Sequence, residues 1–182
     1  MRIAAVTALC IAGLTATQAT AQDWAVEYYG GGSFEGSLGV DATDQDVDSG
    51  TEFGGAIYHS GLYNGLELGL DLSLAERDYS VSGDSMQTTS ALAMARYNFY
   101  DNGSLSAYGG LGLGWLQTEV AGDSDSGLGG RVALGVRYDV NEAVGFFGEV
   151  RHTRAFDNAT LNGVSGIQDH NNSIVVGVRT TF

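Results

Sequence analysis

The chain has 182 residues, 28 glycines, no proline and no lysine, and its eight arginines face 22 acids for a formal net charge of −14. That balance excludes nucleic acid as a partner, because phosphate backbones are held by clustered cations. A hydrophobic content of 43% is that of a folded chain and excludes disorder.

Residues 1–21 read as a secretory signal peptide: Arg2 opens it, Ile3 to Leu14 form a short apolar run, and Ala19-Thr20-Ala21 fits a small-x-small cleavage site. The run is shorter than the roughly 20 residues a membrane-spanning helix needs. Cys10, the single cysteine, lies inside it, so residues 22–182 are expected to form one domain without disulfide or thiol chemistry. Past Gln22 no stretch has 18 consecutive apolar residues, so a membrane-embedded form must be a closed barrel, the one strand architecture that pairs every backbone group.

Taken in order, the elements follow a period of two, which is that of a strand with two unlike faces. The first strand is predicted over about Trp24 to Leu38, with Glu27 and Glu35 in one phase and Trp24, Val26 and Tyr28 in the other. Gly39 to Gly50 reads as a polar loop, and Thr51 to His59 as a weak strand with Phe53 and Ile57 in phase. Ser60 to Gly65 is a short turn ending in Asn64-Gly65, a strong hairpin signal. The third strand is the clearest: Leu66, Leu68, Leu70, Leu72 and Leu74 alternate with Glu67, Gly69, Asp71, Ser73 and Ala75. Glu76 to Gln87 is read as a loop.

The fourth strand, Thr88 to Tyr100, decides between faces. Arg96 on a lipid face near the midplane would cost roughly 2–4 kcal/mol, so Arg96, Asn98, Leu92 and Met94 are assigned inward and Ala93, Ala95, Tyr97 and Phe99 outward. Asp101-Asn102-Gly103 turns into the fifth strand, Leu105 to Thr118, where Leu111, Leu113 and Trp115 share a phase. Glu119 to Gly127 is read as a loop. The sixth strand, Leu128 to Val140, sets Val132, Leu134, Val136 and Tyr138 against Arg131, Ala133 and Arg137. The seventh, Val144 to Thr153, sets Phe146 and Val150 against Phe147, Glu149 and Arg151; His152 and Arg154 then fall in the lipid phase, so its embedded part should end near Val150. Arg154 to Asn172 is a last polar loop before the closing strand, Ser173 to Phe182.

Eight strands joined by connections that alternate long and short predict an all-β fold, an eight-stranded antiparallel up-and-down transmembrane β-barrel with both ends on the short-turn side. The chain resembles the small outer-membrane β-barrel family of Gram-negative bacteria, which includes the opacity proteins and the transmembrane domain of outer membrane protein A. The resemblance rests on the run Tyr108 to Trp115, on Gly135-Val136-Arg137-Tyr138-Asp139 and on Gly177 to Phe182. It implies location in the cell outer membrane, periplasmic termini, extracellular long loops, and contact with outer-membrane lipid and lipopolysaccharide. It further implies an assembly signal in Gly177, Val178, Thr180 and Phe182, read by the barrel-assembly machinery. The family has no shared catalytic residues, and its members range over adhesion, structural, pore-like and enzymatic roles. A monomer is expected.

The inward phase gathers Glu27, Glu67, Asp71, Arg96, Arg131, Arg137, Asp139, Glu149, Arg151 and Arg179. An eight-stranded barrel is just wide enough for side chains to fill, and unpaired buried charge is costly. These groups are therefore expected to pair into a structural plug, Arg179 with Glu27 across the closing seam and Arg96 with Asp71 or Glu67. A small-solute channel is the alternative. No cofactor, metal or catalytic residue is expected. Asp44-x-Asp46-x-Asp48 opens like an EF-hand, but Ser49 and Gly55 stand where glycine and glutamate are required. At most the acidic loops would hold divalent cations weakly. Lipid A modification is set aside, because His59-Ser60, His152 with Thr153 and Glu149, and His170 near Ser173 give no nucleophile, base and orienter at one depth. A soluble barrel with its apolar phase inside would need a solvent face richer in lysine than this glycine- and serine-rich phase.

Overall fold

The structure is a computed structural model that describes residues 23–34, 36–40, 43–47, 49–78, 85–120, 122–157, 159–161 and 164–182. The signal-like segment, Glu35, Asp41, Asp48 and Asp84 lie outside the described residues. The strands are β1 (Trp24–Phe34), β2 (Gly36–Val40), β3 (Thr43–Val47), β4 (Gly50–Tyr63), β5 (Leu66–Asp78), β6 (Ser85–Asp101), β7 (Leu105–Val120), β8 (Asp123–Asp139), β9 (Val144–Ala155), β10 (Ala159–Leu161) and β11 (Val164–Thr181). Eight of them, β1, β4 to β9 and β11, pair antiparallel with their neighbours, and β1 pairs β11 to close the barrel. Trp24 and Phe182 exchange backbone hydrogen bonds at 3.2 and 2.9 Å, so the two ends of the barrel meet on one rung.

The register fixes the tilt. Starting at Phe34, one rung passes through Asn172, His152, Val132, Leu111, Ala95, Leu68 and His59 and returns to β1 at Trp24, ten residues from where it began. Such a stagger is what closing a tilted sheet requires. Every residue on that rung belongs to the outward phase, so closure preserves the alternation of faces all the way round.

Outward columns are apolar: Leu70, Leu72, Leu111, Leu113, Leu134, Val136, Phe146, Val150, Ile174 and Val176 are all exposed on the outside of the barrel. Aromatic side chains flank the belt, with Trp24, Tyr63, Tyr97, Phe99, Tyr100 and Tyr138 at the short-turn end and Phe34, Trp115 and Phe156 at the other. This is the pattern of a wall in contact with lipid, an apolar band roughly 25 Å tall between aromatic girdles. In the inward phase Leu92, Met94, Tyr58 and Leu116 form one buried cluster and Tyr29, Phe147 and Val175 another.

Several expected loops are strand instead. Glu119 to Gly127 is not a loop: β7 runs to Val120, β8 starts at Asp123, and Val120 pairs Asp123 across residues 121–122. Gly122 takes φ 85° there, a left-handed conformation that glycine adopts without strain. The polar run tolerates strand geometry because beyond the lipid belt both faces can be wet, and Asp123 and Asp125 each accept a hydrogen bond from the next backbone N–H, at 3.1 and 2.8 Å. Gly39 to Gly50 similarly contains most of the β2–β3 hairpin, which docks on β11 through Gly39 and Leu38. Thus the first strand ends at Phe34 rather than Leu38, and Asp44 and Asp46 lie on β3. β4 continues to Tyr63 before turning at Asn64-Gly65 (φ 80°). β11 begins at Val164, which places His170 in a strand.

Candidate functional site

The inward phase converges on the lumen. Arg96 and Arg151 are the largest fully buried side chains, and Arg77, Arg131, Arg137 and Arg179 are buried as well. Their partners form one alternating chain of opposite charges through the barrel. From the short-turn end it runs Asp139, Arg137, Glu67, Arg179, Glu27, Arg96, Glu149, Arg151, Glu52, Arg131 and Asp71. No link joins like charges, which is the arrangement that offsets desolvation of each group.

Near the short-turn end, Glu67 accepts hydrogen bonds from Arg179 at 2.9 and 3.0 Å and from Arg137 at 3.2 Å. Arg137 also reaches Asp139 at 3.4 Å; that carboxylate, 33% exposed, is the wet end of the chain. At the lumen centre Arg96 donates in a fork to both oxygens of Glu27, at 2.7 and 3.0 Å, and to Glu149 at 3.1 Å. Its guanidinium lies 4.1 Å from the centre of the Tyr58 ring and 4.4 Å from that of Tyr108, close enough for cation–π attraction in a dry site. Above it, Arg151 bonds Glu149 and Glu52 and lies 3.8 Å over the ring of Tyr29. Arg131 donates to Asp71 at 2.8 Å, Thr153 at 2.9 Å and Ser73 at 3.0 Å, and the Tyr29 hydroxyl donates to Asp71 at 2.9 Å.

The rings lie where they do because glycine stands opposite them. Tyr58 pairs Gly69 and Tyr108 pairs Gly135 on adjacent strands. A Cβ on Gly135 would run into the Tyr108 ring, and one on Gly69 into the Ile57 carbonyl and the Tyr58 ring. Lumen glycines thus give each ring room to lie along the wall and present its face to Arg96.

The structure brings all ten expected lumen residues together, and joins Arg179 to Glu27 at 3.0 Å. The expected partners of Arg96 are corrected. Glu67 is its neighbour on the same rung, yet Arg96 bonds Glu27 and Glu149. The wall beside Arg96 is occupied by Tyr58 and Tyr108, so the side chain extends across the lumen while Glu67 turns to Arg137 and Arg179. Asp71 serves Arg131 and, at 3.8 Å, Arg151. Two members went unrecognised in the sequence. Glu52 sits in the opposite phase to Phe53 and Ile57, a signal blurred by Gly54-Gly55. Arg77 lies in the segment Glu76 to Gln87, whose composition is that of a loop, but β5 carries it inward, where it donates to Thr88 at 2.9 Å and the His170 carbonyl at 3.3 Å.

Above Arg131 a hollow of about 10 Å³ is lined by Glu52, Ser73, Thr88, Ser90, Thr153 and Asn171, space for about one water. Of the histidines, His59 packs edge-on against Trp24 at 4.7 Å and His152 hydrogen-bonds Asn172 at 2.8 Å. Among the described residues no three His, Cys, Asp or Glu side chains are grouped to hold a metal ion.

The sequence profile of the outer membrane protein beta-barrel domain matches residues 6–182. No curated protein matches the chain in sequence. Among solved structures, Neisserial surface protein A is similar with TM-score 0.67 and 18% identity, over 91% of this chain and 100% of that one. OprG of Pseudomonas aeruginosa has TM-score 0.61 and 17% identity, over 88% and 96%. The outer membrane protease OmpT of Escherichia coli has TM-score 0.51 and 11% identity, over 92% and 99%. At these identities the likeness is one of fold. A closed eight-stranded barrel with a lipid-facing belt, matched over nearly its whole length by that profile, makes the chain a member of the outer membrane protein beta-barrel domain family and a protein of the outer membrane.

Proposed function

We propose that the protein is a structural and surface-interaction barrel of the outer membrane, plugged by its own side chains and without enzymatic activity. One observation carries this reading: Arg96 spans the lumen centre, held by Glu27 and Glu149 and flanked by the rings of Tyr58 and Tyr108. A solute would have to break that fork and leave buried charges unpaired, which costs on the order of 3–5 kcal/mol for each partner removed. The same network is built from positioning contacts and contains no nucleophile activated by a base.

The termini and the turns at residues 64–65, 102–104 and 140–143 share one end; we place that end in the periplasm and the opposite connections outside the cell. The closing strand, with Gly177, Val178, Thr180 and Phe182 on its last rungs, is the segment we assign to recognition by the barrel-assembly machinery. Outer-membrane lipid and lipopolysaccharide are the surroundings of the apolar belt, and the barrel acts as a monomer.

The deciding experiment is single-channel recording of the refolded protein in planar bilayers. A silent membrane is expected; stable conductance steps abolished by blocking the lumen would replace this reading with a small-solute channel. Orientation is tested separately with single cysteines. A maleimide that cannot cross the membrane should label Ser124→Cys on intact cells and Glu142→Cys only after lysis.

A further inference from the structure

Among the described residues the exposed positive charge is concentrated at one place. The chain has no lysine, and six arginines, Arg77, Arg96, Arg131, Arg137, Arg151 and Arg179, are buried. Among the described residues Arg154 is the one exposed arginine. It projects outward from β9 beside two of the chain's three histidines. Arg154 pairs His170, and His152 pairs Asn172, on consecutive outward positions of β9 and β11. The His152 and His170 rings are 6.2 Å apart, and His152 is oriented by its 2.8 Å hydrogen bond to Asn172.

The position of this cluster matters more than its charge. His152 and Asn172 lie on the rung of Phe34, and Arg154 lies on the rung of Gly130 and Leu113. On β7 and β8 the apolar columns continue one step further, to Trp115 and Leu128. The Phe156 ring folds over Gly130, against the spot a Cβ there would fill. The polar residues therefore make a notch in the upper edge of the apolar belt, with exposed Phe34 on one side and Phe156 and Leu113 on the other. A cation with two hydrogen-bonding imidazoles, set at the depth where headgroups meet acyl chains, matches a phosphate that has hydrocarbon attached. It matches neither a purely apolar surface nor a free polymer of anions.

We propose that this notch seats the phosphate of a membrane lipid headgroup, with Arg154 as the charged donor, His170 as a further donor beside His152, and Phe34 and Phe156 against the acyl chains. The membrane orientation proposed above enters only through the leaflet that supplies the lipid, and the cysteine-labelling experiment tests it independently.

The test uses the refolded full barrel in a neutral maltoside detergent, titrated with bisphosphorylated lipid A and with the same lipid after removal of both phosphates, while the imidazole NMR signals of all three histidines are followed. The expected result is that the phosphorylated lipid shifts His152 and His170 and leaves His59, at the other rim, in place. Arg154→Gln should weaken binding roughly tenfold, the loss of about one charge-assisted hydrogen bond, and Arg154→Lys should retain most of it. Retained heat-modifiable gel mobility confirms that each variant is folded. Equal shifts from the dephosphorylated lipid, equal shifts from inorganic phosphate at the same concentration, or undiminished binding by Arg154→Gln would each overturn the proposal.

Discussion

Glu27 and Arg179 face each other on one rung of the closing seam, and Arg179 Nη1 donates to Glu27 Oε1 at 3.0 Å. The same oxygen accepts from Arg96 at 2.7 Å. Glu27 is therefore the point where the seam between the first and last barrel strands is tied to the centre of the lumen. A slip of one residue in that seam would turn Arg179 toward lipid, so the pair also penalises incorrect closure.

The two partners should not be equivalent in mutagenesis. Glu27→Gln weakens the hold on both Arg96 and Arg179 and should destabilise the barrel by about 3–5 kcal/mol. Arg179→Gln leaves Glu27 with Arg96 and Glu67 with Arg137, and should cost about 1–3 kcal/mol. Urea unfolding in lipid vesicles ranks them; equal losses would mean that Glu27 is not the junction described.

Crowding a lumen glycine should act through the ring it faces. Gly135→Ala pushes on Tyr108, whose ring and hydroxyl are the nearest atoms to the added Cβ, and is expected to cost about 1–3 kcal/mol by overpacking. Gly148→Ala, whose added Cβ would meet nothing closer than 4.0 Å, should stay within about 0.5 kcal/mol. In the double variant Gly135→Ala/Tyr108→Ala the penalties should fail to add, the coupling expected of side chains in contact. Additive penalties would sever the link between glycine and ring.

The tight turn at Gly122 gives a purely backbone test. Nothing lies within 4 Å of its would-be Cβ, and its φ is 85°. Gly122→Val should destabilise by roughly 1–2 kcal/mol, and Gly122→Asn by clearly less, because asparagine tolerates the left-handed region. If valine and asparagine behave alike in the same unfolding assay, the turn does not take this conformation in the membrane.

Charge scanning should trace the edge of the belt. Leu111→Arg, at a position 64% exposed in mid-belt, is expected to cost about 2–4 kcal/mol, and Gln117→Arg, beyond Trp115 on the same strand, about 0–1 kcal/mol. Comparable penalties at both positions would place the lipid boundary elsewhere.

Much of this architecture is legible in the chain itself. The leucine alternation of Leu66 to Leu74, the need to hide Arg96, and the turn at Asn64-Gly65 suffice to assign inner and outer faces, since alternation and hairpin chemistry are local properties. Strand ends were less legible. Glu119 to Gly127 and Glu76-Arg77 look like loop because composition alone does not distinguish a polar loop from a strand extended beyond the membrane, where both faces can be wet.

The chain alone therefore determines that these strands form a barrel with charge inside and hydrocarbon outside. Only the tertiary structure decides who meets whom. The ten-residue stagger from Phe34 to Trp24 brings distant strands to one depth, and the glycines at 69 and 135 clear wall space for Tyr58 and Tyr108. That is why Arg96 passes over its rung neighbour Glu67 to reach Glu27 and Glu149. Pairing across a lumen depends on side-chain reach and on which wall positions are already filled, and neither is a property of residues adjacent in sequence.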